Sequence, residues 1–252
     1  METSPRPHPR PFATTAPSYS RGRPDYPAEM IRWALPTTSN VVDLAAGAGA
    51  LTRGLLEQGH RVMAVEPVGQ MLTELLRACP QALGIRGAAE AIPLRSGSAD
   101  AVTVGQAFHW FDPVRALPEI ARILRPGGTL VVAYNVMDFS VPWVRRFSDL
   151  IGGGRHELPA QLAAIDASEA FDEPRRKVFR HWQSLDRVGL VDLVSSYSFV
   201  AAQSEDQRAA LAADVAAFFT STAPGSTLRL PYRTHGLTAV VSKAADYQRV
   251  QG

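Results

Sequence analysis

Apolar positions in the first half of the chain come in two alternating patterns. Short runs rich in strand formers occur at Val41–Leu44, Arg61–Val65, Ala82–Arg86, Ala99–Gly105 and Thr129–Tyr134. Between them apolar residues recur at helical spacing, as in Leu51, Leu55 and Leu56, or Met71, Leu72, Leu75 and Leu76. A third such stripe, Ala116, Leu117, Ile120, Ile123 and Leu124, follows Pro113. Strands alternating with amphipathic helices predict an α/β fold, a mostly parallel sheet with helices on both faces. The alternation stops after Asn135. Residues 136–176 read as a helical insertion after strand five, with helices around Trp143–Ile151 and Pro159–Phe171 and a hinge at Gly152-Gly153-Gly154, placed to roof a substrate pocket. Lys177–Ser184 then reads as a strand, and Asp186–Tyr197 and Ser204–Phe219 as helices. Thr227–Tyr232 and Leu237–Ser242 read as two strands separated by Arg233-Thr234-His235-Gly236, at least one of them pairing antiparallel at the sheet edge. The Pro-rich stretch 1–18 buries too little to order itself and is expected to be a disordered tail, leaving 19–252 as one domain.

The stretch around which the rest is organised is Val41 to Leu51. A strand ends on Asp43 and breaks into Ala45-Ala46-Gly47-Ala48-Gly49 before a helix opens. Small residues there let a ligand lie against bare backbone. A dinucleotide-binding turn requires G-x-G-x-x-G, with pyrophosphate on the helix N-terminus. Here Thr52 holds the third glycine position, and the Asp43 carboxylate would repel a pyrophosphate while suiting a cationic ammonium group. The second strand also ends on a carboxylate, Glu66, followed by Pro67, at the position that receives ribose hydroxyls.

Composition narrows the picture further. A length of 252 residues with 46% hydrophobic content allows one large core. A net charge of +2 with interspersed signs gives no argument for nucleic-acid binding. The one cysteine excludes an intrachain disulfide and fits a reducing, cytoplasmic setting. No run approaches the roughly 18 apolar residues of a membrane span, and the N-terminus lacks the apolar core of a signal peptide. The six histidines show no metal-ligand spacing, so no metal is expected. Neither nucleic acid nor a membrane is an expected partner.

Asp43 to Gly49 resembles the first motif of class I S-adenosylmethionine-dependent methyltransferases, D-x-G-x-G-x-G, with Ala45 in the first glycine position. Tyr19 with Arg21-Gly22-Arg23-Pro24-Asp25-Tyr26-Pro27, the run Ala107-Phe108-His109-Trp110-Phe111-Asp112 and the turn Leu124-Arg125-Pro126-Gly127-Gly128 are similar to the type-11 and trans-aconitate-methyltransferase-like small-molecule group. The resemblance implies the Rossmann-like fold of that class, with a seven-stranded sheet, and methyl transfer to a small-molecule substrate by direct displacement, in a monomer or homodimer. It implies S-adenosylmethionine contacts from Asp43, Ala45, Gly47, Gly49, Glu66, Pro67, Met71, Ala89, Glu90 and Gln106. Tyr19 would be a lid contact or a packing aromatic. The family's adenine-binding aspartate is replaced by Ala88. His109 would face the reactive methyl, either as a general base or as a pocket-shaping side chain. Two rivals are a non-methylating cofactor-binding protein on the same fold and an NAD-type oxidoreductase.

Overall fold

Seven strands join in one sheet of order β3-β2-β1-β4-β5-β7-β6 in the computed structural model, which describes residues 22–153, 158–223 and 225–242. The expected tail, Tyr19, Arg21 and Gly154 of the expected hinge lie outside those residues. The strands are β1 (Asn40–Leu44), β2 (Arg61–Val65), β3 (Leu83–Ile85), β4 (Ala99–Gly105), β5 (Leu124–Met137), β6 (Arg175–Leu185) and β7 (Leu228–Val240). The helices are α1 (Ala28–Ala34), α2 (Ala50–Glu57), α3 (Gly69–Ala78), α4 (Pro113–Ile123), α5 (Pro142–Leu150), α6 (Ala163–Asp166), α7 (Arg187–Ser195), α8 (Ser198–Ala201) and α9 (Glu205–Thr222). Strands β1 to β5 pair in parallel, and β7 runs antiparallel between β5 and β6. The mostly parallel α/β sheet expected from the alternating pattern is the one observed.

Local chemistry sets the element ends. Gly49 takes φ +92° at the start of α2, and a Cβ there would lie 3.0 Å from the Leu75 side chain of α3. Asp112 caps α4 by accepting from Val114 N, with Pro113 at the first helical position. Ser204 and Gln207 form a reciprocal capping box on α9. The interior strands are buried on both faces: Leu44, Val102, Leu130 and Val132 meet α4, while Val41, Ala101 and Val131 meet α1 and α2. A second core lies between the α5, α7 and α9 helices and the ends of β5 and β7, around Phe147, Leu190, Val215 and Leu230.

Three expectations need correction. The two C-terminal strands are one, since Arg233 to Gly236 continue β7 between β5 and β6. That polar run is tolerated because Thr234 is fully buried yet satisfied, donating to Asn135 Oδ1 at 2.6 Å and lying 3.1 Å from His181 Nδ1. The helix expected over Pro159–Phe171 is a 3-10 turn (Ala160–Leu162) and the single-turn α6. Phe171 bridges to Val241 and Asp172 N bonds Val240 O, so the end of that stretch is drawn into extended pairing beside β7. The Arg125–Gly128 turn lies inside β5, looped out between the Ala99–Leu124 and Ala101–Thr129 pairings, with Gly127 at φ +73°.

Thr234→Val keeps the strand shape but strands Asn135 Oδ1 and the His181 ring nitrogen. It should cost about 1–3 kcal/mol of stability, read as a lowered urea midpoint at unchanged m-value.

Candidate functional site

In the strand order, β1 and β4 are neighbours whose connections leave toward opposite sides of the sheet, which opens a crevice at their carboxyl ends. Both strands end there on strained backbone. Ala45 has φ +53° and Gln106 φ +57°, the two non-glycine residues with positive φ among the described residues. Each such residue costs on the order of 1 kcal/mol and persists only where its surroundings over-determine it. Ala45, Gly47, Gly105 and Gln106 are shared by two clefts that meet at this point.

The first cleft has Asp43 at its floor and Arg23, Tyr26, Arg53 and Asn135 around it. Asp43 has no solvent exposure, and its two oxygens accept from Thr52 Oγ1 at 2.6 Å and Thr103 Oγ1 at 2.9 Å. Burial pushes its carboxyl up to about 6, against the opposing effect of the two threonine hydrogen bonds. The segment containing Arg23 to Tyr26 straps across this cleft. Asp25 fixes it twice, through its carbonyl, which accepts from Asn135 Nδ2 at 3.2 Å, and through its carboxylate, which pairs with Arg53. Gly105 is small because of this strap: a Cβ there would come 2.7 Å from the Tyr26 hydroxyl.

The second cleft has Glu66 in its wall among Pro67, Val68, Met71, Ala89, Trp110 and Phe111, and Ala88 and Glu90 also line it. Glu66 is 5% exposed, and its oxygens accept from Gly47 N and Val68 N, both at 2.9 Å. Burial raises its carboxyl, and these two backbone bonds pull the other way. Glu90 Oε1 accepts from Asp112 N at 3.0 Å, which ties the loop after β3 to the start of α4.

The structure therefore gathers Asp43, Ala45, Gly47, Glu66, Pro67, Met71, Ala89, Glu90 and Gln106 at one crevice, out of order in the sequence. Three predicted residues stand differently. Gly49 lies outside both linings and serves the α2–α3 packing. The Gln106 carboxamide is occupied by the Asn135 backbone, accepting from its N–H at 2.8 Å and donating to its carbonyl at 3.2 Å. It stands in for the next rung of the parallel β4–β5 ladder, so the polar atoms of the Gln106 side chain are both engaged with Asn135. His109 is not among the lining residues of either cleft. Its ring and its backbone N–H both meet the Tyr134 hydroxyl at 3.1 Å, and its ring packs 4.8 Å from Trp110. No described residue of 136–176 lines either cleft, and α5 packs with α7 and α9 in the second core. Sequence reading missed Arg53 and Asn135, whose neighbours carry no motif and which reach the cleft only through the sheet and the α2 packing. Among the described residues no three His, Cys, Asp or Glu side chains converge as a metal site.

A model of a methyltransferase domain matches residues 42–132, a span that starts within β1 and ends within β5. A methyltransferase of Mycobacterium tuberculosis is 43% identical over 189 residues, covering 75% of this chain and 76% of that protein. A methyltransferase of Schizosaccharomyces pombe is 34% identical over 200 residues, covering 76% and 80%. In three dimensions the chain is similar to a type II methyltransferase structure from Anaeromyxobacter dehalogenans, with TM-score 0.63 and 22% identity over 86% of this chain and 97% of that one. It also shares its fold with a Haemonchus contortus phosphoethanolamine N-methyltransferase solved with S-adenosylhomocysteine, with TM-score 0.56 and 14% identity over 92% and 58%.

Asp43 makes stability depend on pH with a definite sign. Its folded carboxyl lies near 6 and its unfolded one near 3.8, so the folded state holds the proton more tightly. The associated stability is complete below the unfolded value and is lost as pH rises through about 6, roughly 3 kcal/mol in all. Asp43→Asn should remove that slope and leave the ligand-free protein at least as stable at pH 7.5. Urea titrations at pH 5, 6 and 7.5 measure it; a variant that keeps the wild-type slope would remove Asp43 as its source.

Proposed function

The chain belongs to the methyltransferase family, and from that membership we propose that it moves a methyl group from S-adenosylmethionine to a small-molecule acceptor by direct displacement. The observation that carries this reading is the junction of the two clefts at Ala45 and Gln106, with a buried carboxylate on each side. A ligand spanning them presents an ammonium group toward Asp43 and vicinal hydroxyls toward Glu66, with a flat base among Met71, Ala89, Trp110 and Phe111. S-adenosylmethionine has those parts in that order and supplies, when bound, a methyl group on a positively charged sulfur.

The chain's own residues fit this ligand chemically. Each Glu66 oxygen takes one backbone N–H and keeps a lone pair for a ribose hydroxyl. Asp43 acts on an ammonium group as a buried charge, largely ionised at neutral pH. Arg23 and Arg53 in the first cleft supply positive charge for an α-carboxylate. An NAD pyrophosphate would meet the carboxylate at the floor instead. Direct displacement is favoured because, among the described residues, no Cys, Ser, Thr or Lys lines either cleft to carry the methyl covalently. The share of catalysis left to the protein is to position the reactants and exclude water, which the strap containing Arg23 to Tyr26 serves. His109 supports this as a positioning residue, since its Nδ1 and backbone N–H meet the Tyr134 hydroxyl and its ring packs on Trp110. A cytoplasmic setting agrees with a buried, unbridged Cys79. No helix among the described residues is long and apolar enough to cross a membrane.

Calorimetry with S-adenosylmethionine and with NAD tests the reading directly, the first binding and the second not. Glu66→Gln should weaken S-adenosylmethionine about 10- to 100-fold, because one carboxylate oxygen becomes a donor; unaltered affinity would remove Glu66 from the ribose position. Once an acceptor is found in a metabolite panel, His109→Gln should raise its KM with kcat within about 10-fold of normal. A loss nearer 10²–10⁴ in kcat alone would instead make His109 a general base.

A further inference from the structure

Strands β6 and β7 place Arg180 and Arg233 directly opposite one another across an antiparallel ladder, so both side chains leave the same face of the sheet. Both are exposed, and neither has a hydrogen-bond or ion-pair partner among the described residues. Like charges in that relation repel, and among the described residues no carboxylate forms an ion pair with either guanidinium. Asp138 is the carboxylate whose charge both arginines reach, and its Oδ1 accepts from Ser140 N and Oγ. Burial works to raise the Asp138 carboxyl, and these bonds together with the Arg233 and Arg180 charges outweigh it and hold it low. On the same face His235 is held below its usual range by burial first and by the Arg233 charge second. Protection of a free sheet edge explains an arginine on β6, which ends the sheet. It does not explain Arg233, whose strand is paired on both sides.

The pair stands close to the crevice. Tyr134, which holds His109 beside Trp110, is the β5 partner of His235, and Val136 is the partner of Arg233. Arg233 is thus one same-face step, about 7 Å, beyond Tyr134 toward the carboxyl end of β5. Trp182 follows Arg180 on that face, 53% exposed, with the Arg229 guanidinium 5.4 Å from its ring centre. Two adjacent guanidinium groups match the two or three oxygens of one planar or tetrahedral anion, and the tryptophan offers an apolar shelf beside them.

We propose that Arg180 and Arg233 form a site for an anionic group, a carboxylate or a phosphate, carried by the methyl acceptor. Its assignment to the acceptor rests on the methyl-transfer reading above; the anion site itself does not. Inorganic phosphate and succinate are titrated separately by calorimetry into the full chain and into Arg180→Gln, Arg233→Gln and the distant control Arg208→Gln. At least one anion should bind the wild type, with affinity lost 10-fold or more in the first two variants and kept in the control. Binding of succinate alone assigns a carboxylate, and of phosphate alone a phosphate group. Without added anion, Arg180→Gln or Arg233→Gln should raise Tm by about 1–3 °C, because the repulsion is relieved. Binding of neither anion, an equal loss in Arg208→Gln, or a lowered Tm in both variants overturns the site. With S-adenosylmethionine present, product should form from the anionic members of an acceptor panel; methylation of neutral members alone overturns the assignment to the acceptor. S-adenosylmethionine affinity measured on the same samples separates the two claims. Phosphate binding without cofactor binding sinks the methyl-transfer reading, and the reverse sinks the anion site.

Discussion

A parallel sheet that reverses its strand order must open where the reversal occurs, and this molecule's chemistry depends on that opening. Between β1 and β4 no connection crosses the carboxyl edge, so the chain leaves both strands sharply and away from one another. The departure is abrupt enough to force Ala45 and Gln106 into left-handed backbone. Neither residue is relaxed there, and each is held by what surrounds it. Ala45 is followed by an N–H, on Ala46, that bonds Val65 O of the neighbouring strand. Gln106 is held by the two bonds from its own carboxamide to Asn135. Strain and site coincide because the same tight exit exposes backbone to a ligand.

Around that opening the polar groups are buried in pairs rather than left to solvent. Asp43 is satisfied by two threonines from different elements, Thr52 on α2 and Thr103 on β4, so its charge also ties strand to helix. Glu66 ties the loop after β1 to the start of α3 through Gly47 and Val68. Asn135 does the same for the far side. Its side chain joins Asp25 of the strap to Thr234 of β7, while its backbone receives Gln106. Partial satisfaction of such a network would be costly, which fixes the clefts in shape before any ligand arrives.

The far half of the sheet follows a different logic. There β7 runs antiparallel, with β6 outside it, and one face of the pair carries an uncovered strip of Val178, Arg180, Trp182, Arg229 and Arg233. The other face holds Phe179 against Trp33 and His181 against Tyr232, both buried or half-buried. The exposed strip is therefore not a sheet lacking a core. Its core is on one side, and its open side begins where the crevice at the β1 and β4 ends stops.

The sequence by itself determined whatever depends on short-range periodicity and on residue type. Alternating apolar runs and stripes yield β1 to β5 and their helices, because burial on both faces of a parallel strand leaves a run that helical spacing does not imitate. The carboxylates at the ends of these apolar runs, Asp43 and Glu66, are drawn to the two clefts for the same reason: a charge closing an apolar run stands near the strand's end whatever the tertiary context. Only the tertiary structure decided what depends on partners far along the chain. Arg233 to Gly236 reads as a break and is strand, since Thr234 finds Asn135 and His181 about 100 and 53 residues away. Gln106 reads as a contact of the crevice, and its carboxamide also continues the ladder beside Asn135, while the His109 ring and backbone N–H join the Tyr134 hydroxyl. In each case a polar group's role is set by the distant atom that satisfies it, and no local pattern of residues records which atom that is.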